Sequence, residues 1–332
     1  MTVTIDTIRG MPEPYVTEAQ FEAAREFVTR YTHRTPMLSS AQLSTATGFD
    51  IRLKAEMFQK TGSYKIRGAL NKIHLLSEEQ RARGVICSSA GNHAQGVALA
   101  AALLGVKAIV VMAENATPSK VAATKGYGAE VVLHGTVWDE ANEEAKRLVT
   151  LHGYTFVHPF DDPDLIAGQG TLGLEVSDDV PDVSVVVVPI GGGGLISGVS
   201  QAVKLKHPGA RIIGVESSGA PAMHDSLRAG HVITLDSADS RADGLRVRRV
   251  GDLTFRVVRD FVDEVVLVSE DEIRDSILWC LGRLKVLTEG AAAATVAAVR
   301  KGLVAAQPGA KVVCVLSGGN LDTDQFKSLR IN

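Results

Sequence analysis

The chain has 332 residues, with 35 Lys and Arg against 38 Asp and Glu, for a formal net charge of −3. Hydrophobic residues make up 45% and charged residues 22%. So apolar a chain buries enough surface to offset its ordering entropy, which excludes disorder as the main state, and the charge balance leaves no basic footprint for nucleic acid.

A prior of roughly 150 residues per domain gives about two domains. No run of ~18 apolar residues occurs, so no transmembrane helix and no membrane partner are expected. The N-terminal MTVTIDTIRGMPEPY lacks the apolar segment of a secretory signal. Cys87, Cys280 and Cys314 lie in apolar stretches without a C-x-x-C pair. They read as buried, reduced thiols of a cytoplasmic protein.

Taken in chain order, short β-branched runs alternate with Ala-rich stretches. Residues 84–87 predict a strand, 94–104 a buried helix ended by Gly105, and 107–112 a second strand. Thr117-Pro118 opens a helix over 117–125, with a capping residue followed by a favourable first-turn residue. A strand over 129–133, a helix over 138–151 and a strand over 155–158 follow. Repeated β-α units predict a parallel sheet with helices on both faces. The grammar resumes with the apolar run 183–190, as expected of a strand covered on both faces. A helix over 195–206 and a strand over 211–216 come next. Residues 217–255 read as irregular, 270–287 and 291–301 as helical, and 311–316 as a last buried strand. No linker separates the parts, so two domains must be interleaved.

Open α/β sheets bind ligands at the carboxyl ends of their strands. Three polar, glycine-rich loops fall at such ends: 88–93, 191–194 and 317–320. Gly191-Gly192-Gly193-Gly194 joins a buried strand to a helix start. One glycine suffices for a tight turn, whereas four let the backbone close on an anion at a helix N-terminus, with phosphate the natural guest. The loop continues Leu195-Ile196-Ser197, so it lacks the Gly-Lys-Ser/Thr of a nucleoside triphosphate loop, and Ser197 breaks a dinucleotide G-x-G-x-x-G. Glu216 ends the following strand, where a ribose-binding acid would sit, which leaves a nicotinamide enzyme open as an alternative.

Ser88-Ser89-Ala90-Gly91-Asn92-His93 offers hydroxyls and backbone N–H groups at another helix start, suited to a carboxylate or to simple helix capping. Lys65 falls in the first turn of a helix after Thr61-Gly62-Ser63. The positive helix end lowers its pKa, and Schiff-base chemistry requires a lysine of that kind. Ser317 offers a neutral hydroxyl on the last strand's loop. One loop for phosphate, one lysine for an aldehyde, Asn92 for a ring hydroxyl and a residue for a ring nitrogen together suggest pyridoxal phosphate.

These residues lie in segments whose order resembles the threonine/serine dehydratases of the fold type II pyridoxal-phosphate enzymes. The segments are 54–69 (KAEMFQKTGSYKIRGA), 89–97 (SAGNHAQGV), 161–175 (DDPDLIAGQGTLGLE), 189–195 (PIGGGGL), 242–244 (ADG) and 316–320 (LSGGN). Segments 119–135, 268–274 and 285–291 resemble the degradative members. The resemblance implies an α/β fold of two interleaved domains with twisted, mostly parallel sheets flanked by helices. It implies a large cofactor-binding domain over 1–83 plus 158–332 and a small mobile domain over 84–157. By the same resemblance Lys65 carries the cofactor and later moves the α-proton, and Tyr64 packs beside it. Gly191, Gly192, Gly193, Gly194 and Leu195 match the phosphate cradle. Asn92 matches the partner of the ring hydroxyl, Ser317 that of the ring nitrogen, and Gly244 a backbone lying against the ring. Ser89, Ala90, Gly91, Asn92 and His93 match the loop that grips the substrate carboxylate.

The implied reaction is β-elimination of water from L-threonine and L-serine. Serine racemisation with side elimination, or dehydration of 3-hydroxyaspartate, are the alternatives. Ala90 stands where serine racemases carry a proton-transferring serine, which speaks against efficient racemisation. Ala222 stands where they carry the second acid of a divalent-metal pair, so no such metal is expected; a monovalent cation near Glu216 stays compatible. Family members are homodimers or homotetramers. Because the chain stops at Asn332, no regulatory region and no isoleucine feedback are expected.

Overall fold

The computed structural model describes residues 2–5 and 12–329. In chain order its strands are β1 (Thr2–Thr4), β2 (Met37–Ser39), β3 (Asp50–Ala55), β4 (Val85–Ser88), β5 (Ala108–Met112) and β6 (Glu130–Leu133). They continue with β7 (Thr155–Phe156), β8 (Val185–Pro189), β9 (Arg211–Ser217), β10 (Glu264–Val268) and β11 (Lys311–Leu316). They form two sheets. The larger runs β1-β10-β9-β8-β11-β3-β2 and the smaller β6-β5-β4-β7. The smaller is parallel throughout. The larger is parallel except at its two edges, where β1 and β2 run antiparallel to their neighbours. This is the mixed, helix-flanked α/β architecture that the β-α alternation predicts.

Strands β4, β5 and β8 are buried along their whole length, as required when helices cover both faces of a parallel sheet. The helix Gly290–Arg300 is alanine-rich and buried from Gly290 to Val299, and packs against β8, β9, β10 and β11. Its small side chains bring the helix close to the sheet. In the larger sheet β8 is flanked by β9 and β11, so the crossovers leave it in both directions. The loops after β8 and β11 open side by side at that switch point, where such sheets bind ligands.

One buried ionic network ties the layers together. Arg67, fully buried on the helix Lys65–His74, makes two hydrogen bonds to Glu56 (2.8 Å each) and two to Glu175 (2.7 and 3.0 Å). Lys54 on β3, also fully buried, reaches Glu175 at 2.8 Å and the Thr35 carbonyl at 2.8 Å. Burial alone would raise the pKa of Glu175; Arg67 and Lys54 hold it below the usual carboxylate range instead. The helix Pro163–Asp179 brings Glu175 into place. Gly168 lets it close on the neighbouring helix, since a Cβ there would stand 2.5 Å from the Arg67 carbonyl.

Several expectations need correction. The helix expected over 270–287 ends at Trp279, passes through a π-turn at Cys280–Leu284 and reverses at Lys285, whose φ is 62°. Glycine or asparagine usually marks a left-handed stop; a lysine there gives no signal. The stretch 217–255, read as irregular, holds the short helix Ala222–Ala229 and the start of the helix Asp252–Phe261. The strand expected over 155–158 covers only Thr155–Phe156, because the His158 ring then accepts the N–H groups of Phe160 and Asp161 and turns the chain. Thr117 holds the N-cap position of the helix Pro118–Gly126, but its hydroxyl meets Ser119 and not a backbone N–H.

Removing one partner from a buried ion pair strands the other's charge, at a cost of roughly 3–5 kcal/mol. Arg67→Met is expected to lower the unfolding free energy by about that amount in urea titrations; an unchanged midpoint would show that the network is not stabilising.

Candidate active site

Lys65 is the first residue of its helix, after a Tyr64 N-cap. The segment before it is bound to the loop after β11: the Tyr64 N–H donates to the Ser317 carbonyl (3.1 Å), and Ser63 pairs with Gly318. The helix Asn92–Leu103 presses on it from the other side. There Gly96 allows the contact, since a Cβ would lie 3.0 Å from the Lys65 backbone. The Lys65 amine donates to the Pro159 carbonyl at 2.7 Å and lies 5.4 Å from the Tyr64 ring centre. Burial pushes its pKa down to about 8, against an opposing pull from Glu289. Burial and Glu289 push the Tyr64 hydroxyl up.

The glycine loop after β8 has no room for side chains on its inner wall. A Cβ at Gly191 would stand 2.2 Å from the Gly244 carbonyl, and one at Gly192 would stand 2.1 Å from the Phe160 ring. Gly193 has a φ of 94°, which favours glycine. Thr254 Oγ1 donates to the Gly192 carbonyl at 2.7 Å. Asp161 fixes Thr254 in turn, accepting the N–H groups of Asp252, Leu253 and Thr254 at 3.0–3.1 Å. Among the described residues, the N–H groups of Gly191, Gly192 and Gly193 meet no acceptor. They gather where the helix Gly194–Lys206 begins, and Leu195 is buried in its first turn. Unpaired donors at a positive helix end suit an anion.

The loop after β4 carries Ser89, Ala90, Gly91, Asn92 and His93. Gly91 is the N-cap of the following helix and Asn92 its first residue. Ser89 Oγ accepts the Gly91 N–H at 3.2 Å, and Ala90 packs at the edge of a core cluster. His93 is buried, and burial with the nearby Lys65 charge pushes its pKa down to about 3. It is therefore neutral, with Nε2 donating to the Val157 carbonyl at 2.9 Å. Ser317, buried at the end of β11, has a hydroxyl with no partner among the described residues. Gly244 stands against Ala291, 3.0 Å from where its Cβ would be.

Sequence reasoning assigned no role to Glu289. Its carboxylate accepts from Asn92 Nδ2 at 2.8 and 2.9 Å. Burial pushes its pKa up to about 7, while the Asn92 hydrogen bond acts the other way. Glu289 occupies the N-cap position of the helix Gly290–Arg300 without capping it. A lone glutamate before Gly-Ala-Ala-Ala-Ala reads as an ordinary helix start, so only the fold shows its other engagement.

Glu216, buried at the end of β9, accepts the N–H groups of Met223 (2.8 Å) and His224 (2.7 Å), and burial raises its pKa to about 8. Among the described residues no group of three or more His, Cys, Asp or Glu is placed to hold a metal ion. No helix there is long and apolar enough to cross a membrane.

The family model described as "Pyridoxal-phosphate dependent enzyme" matches residues 28–318. An L-threonine ammonia-lyase of Thermotoga maritima is 51% identical over 311 residues, covering 94% of this chain and 77% of that protein. A catabolic L-threonine dehydratase of Escherichia coli (strain K12) is 44% identical over 307 residues, covering 92% and 93%. The structure of maize serine racemase superposes with a TM-score of 0.90 at 38% identity, covering 94% of this chain and 96% of that one.

Only the neutral amine attacks an aldehyde, so Lys65 reactivity rises with pH through its pKa. In cofactor-free protein, the rate of aldehyde modification at Lys65, followed by mass spectrometry after reduction, is expected to reach half its maximum near pH 8. A midpoint near the 10.5 of an ordinary lysine would contradict the buried setting.

Proposed function

The chain belongs to the pyridoxal-phosphate-dependent enzymes, and from that premise we propose that it is an ammonia-lyase that dehydrates L-threonine, and L-serine with it, to 2-oxobutanoate or pyruvate and ammonia. The single observation that carries this is that the turn at 159–160 and the Tyr64–Ser317 backbone bond join a desolvated lysine to an anion-ready glycine loop and to a buried serine hydroxyl that has no partner among the described residues.

The residues present fit the cofactor. The unpaired N–H groups of Gly191, Gly192 and Gly193, with Gly194 and Leu195 opening the helix, suit its phosphate. Ser317 Oγ, buried without a partner, suits a ring nitrogen. Lys65 would hold the aldehyde, Asn92 the ring hydroxyl, and Gly244 and Tyr64 the sides of the ring. When bound, the group supplies the electron sink that acidifies the substrate's α-C–H bond.

The chain's own residues do the rest. The lowered pKa of Lys65 leaves a useful fraction of neutral amine near physiological pH, able to take the α-proton at Nζ. The Pro159 carbonyl receives that amine and orients it. The N-terminus of the helix Asn92–Leu103, with Ser89 to His93, meets the substrate carboxylate. Ser317 would set a neutral hydroxyl at the ring nitrogen, where an acid would instead protonate it, and so would moderate the electron sink that the group supplies.

The division into 84–157 and 1–83 plus 158–332, with the smaller part mobile, belongs to the proposal; that β4 to β7, all within 85–156, form a sheet of their own supports the division. Lys120–Asp243 (2.8 Å) and Asn92–Glu289 cross between the parts at the cleft. The proposal includes a homodimer or homotetramer in the cytoplasm, by resemblance to family members.

The similarity to maize serine racemase favours one further reading, a racemase with side elimination. Ala90 cannot transfer a proton, so pyruvate should form faster than D-serine in a chiral assay.

Lys65→Ala is expected to cut 2-oxobutanoate release by roughly 10²-fold or more. Full activity in that variant, with cofactor bound, would overturn the proposal.

A further inference from the structure

The Asn92 amide sits between two groups that dictate which way it faces. The Thr61 carbonyl can only accept, and it takes an N–H from Asn320 Nδ2 at 2.7 Å. The same Nδ2 donates its other proton to Asn92 Oδ1 at 2.8 Å. The Asn92 oxygen is thereby fixed toward Asn320, and its NH₂ toward Glu289. The NH₂ so placed donates to Glu289, both of whose oxygens lie within 2.9 Å of Asn92 Nδ2. Two oxygens of one carboxyl group stand too close together to take both N–H groups, so one Asn92 N–H is left over.

Glu289 is held as firmly as the amide it faces. Its N–H donates to the Gly318 carbonyl at 3.1 Å, and its side chain crowds Gly318, where a Cβ would stand 2.8 Å from Oε1. It is nearly buried and does not cap its own helix. Its contacts to Asn92 are its only side-chain to side-chain hydrogen bonds among the described residues, while the Asn320 N–H and the Lys65 charge also favour its ionised form.

We propose that Glu289 is a positioning residue. By accepting from Nδ2 it locks the Asn92 side chain with one N–H left over, which would serve the oxygen that Asn92 would bind on the cofactor. This rests on the pyridoxal-phosphate reading above and adds a residue to it.

The proposal separates charge from shape. Glu289→Gln keeps the volume but offers one acceptor oxygen in place of two and no charge, so the Asn92 amide is held by a weaker bond and its turned orientation is opposed less. The exchange Asn92→Asp/Glu289→Gln restores a matched hydrogen bond with the donor now on residue 289, but presents no N–H to the cleft.

The test is a titration of the full chain, stripped of cofactor, with pyridoxal phosphate, followed by the visible absorbance of the bound form, with thermal unfolding alongside. A lost hydrogen bond to a charged group corresponds to roughly a tenfold weakening or more. Glu289→Gln is expected to weaken cofactor affinity by about that factor and to shift the absorbance maximum. The exchanged pair is expected to recover the unfolding temperature but neither affinity nor spectrum. Equal affinity and spectrum in wild type and Glu289→Gln would overturn the proposal. Recovery of affinity in the exchanged pair would overturn it as well, since the bond alone would then suffice. If Glu289→Gln does not fold, the exchanged pair decides by the same criterion. A wild-type chain that gives no visible band at any cofactor concentration would overturn the cofactor reading itself, and this proposal with it.

Discussion

The placement of Lys65 depends on a guanidinium with no exposed surface. Arg67 is buried two residues beyond Lys65 and is bound by four hydrogen bonds to two carboxylates. Desolvating such charges costs several kcal/mol per ion, and only near-complete pairing offsets it. Two cations, Lys54 and Arg67, face three carboxylates, Glu56, Glu175 and Asp179, and they come from β3, the turn after it, the Lys65 helix and the helix Pro163–Asp179. The geometry admits one relative placement of these elements. Lys65 inherits that placement, because it starts the helix on which Arg67 sits.

The site applies the opposite logic. Where the network pairs its charges, the site leaves groups without partners among the described residues: three backbone N–H groups at the glycine loop and the Ser317 hydroxyl. Buried polar groups normally find partners, so a cluster without them marks a place prepared for a ligand. The segment 158–161 holds the loop and the lysine in register. The Pro159 carbonyl takes the Lys65 amine, the Phe160 ring fills the space beside Gly192, and Asp161 caps the helix whose Thr254 grips Gly192. One short turn thus sets the spacing between the two halves of the site.

Much of this was legible in the sequence, for identifiable reasons. β-Branched runs broken by glycine gave the parallel sheets, and glycine clusters after those runs gave the three ligand-facing loops. Lys65 was legible because the turn Thr61-Gly62-Ser63 precedes a helix, although the cap expected from that turn is not made: Tyr64 holds the N-cap position and no side chain caps the helix. What escaped were features that local pattern does not encode. The helix Pro163–Asp179 hides behind Gly168, Gly170 and Gly173, which weaken a helical signal but serve close packing. The reversal at Lys285 lacks the usual glycine, and with it the placement of Glu289 was lost. Glu175 lies 108 residues from Arg67 and Glu56 lies 11 from it, with no local pattern joining them, so their pairing exists only in three dimensions.

The central claim is that Lys65 binds pyridoxal phosphate and that the loaded chain dehydrates threonine. The most direct measurement is the absorbance spectrum of the purified protein, recorded before and after borohydride and then with L-threonine added to unreduced protein. A visible band that borohydride abolishes and threonine perturbs, with 2-oxobutanoate accumulating, is the result expected. A chain that shows no such band even with added pyridoxal phosphate would contradict the account, leaving the fold without the chemistry.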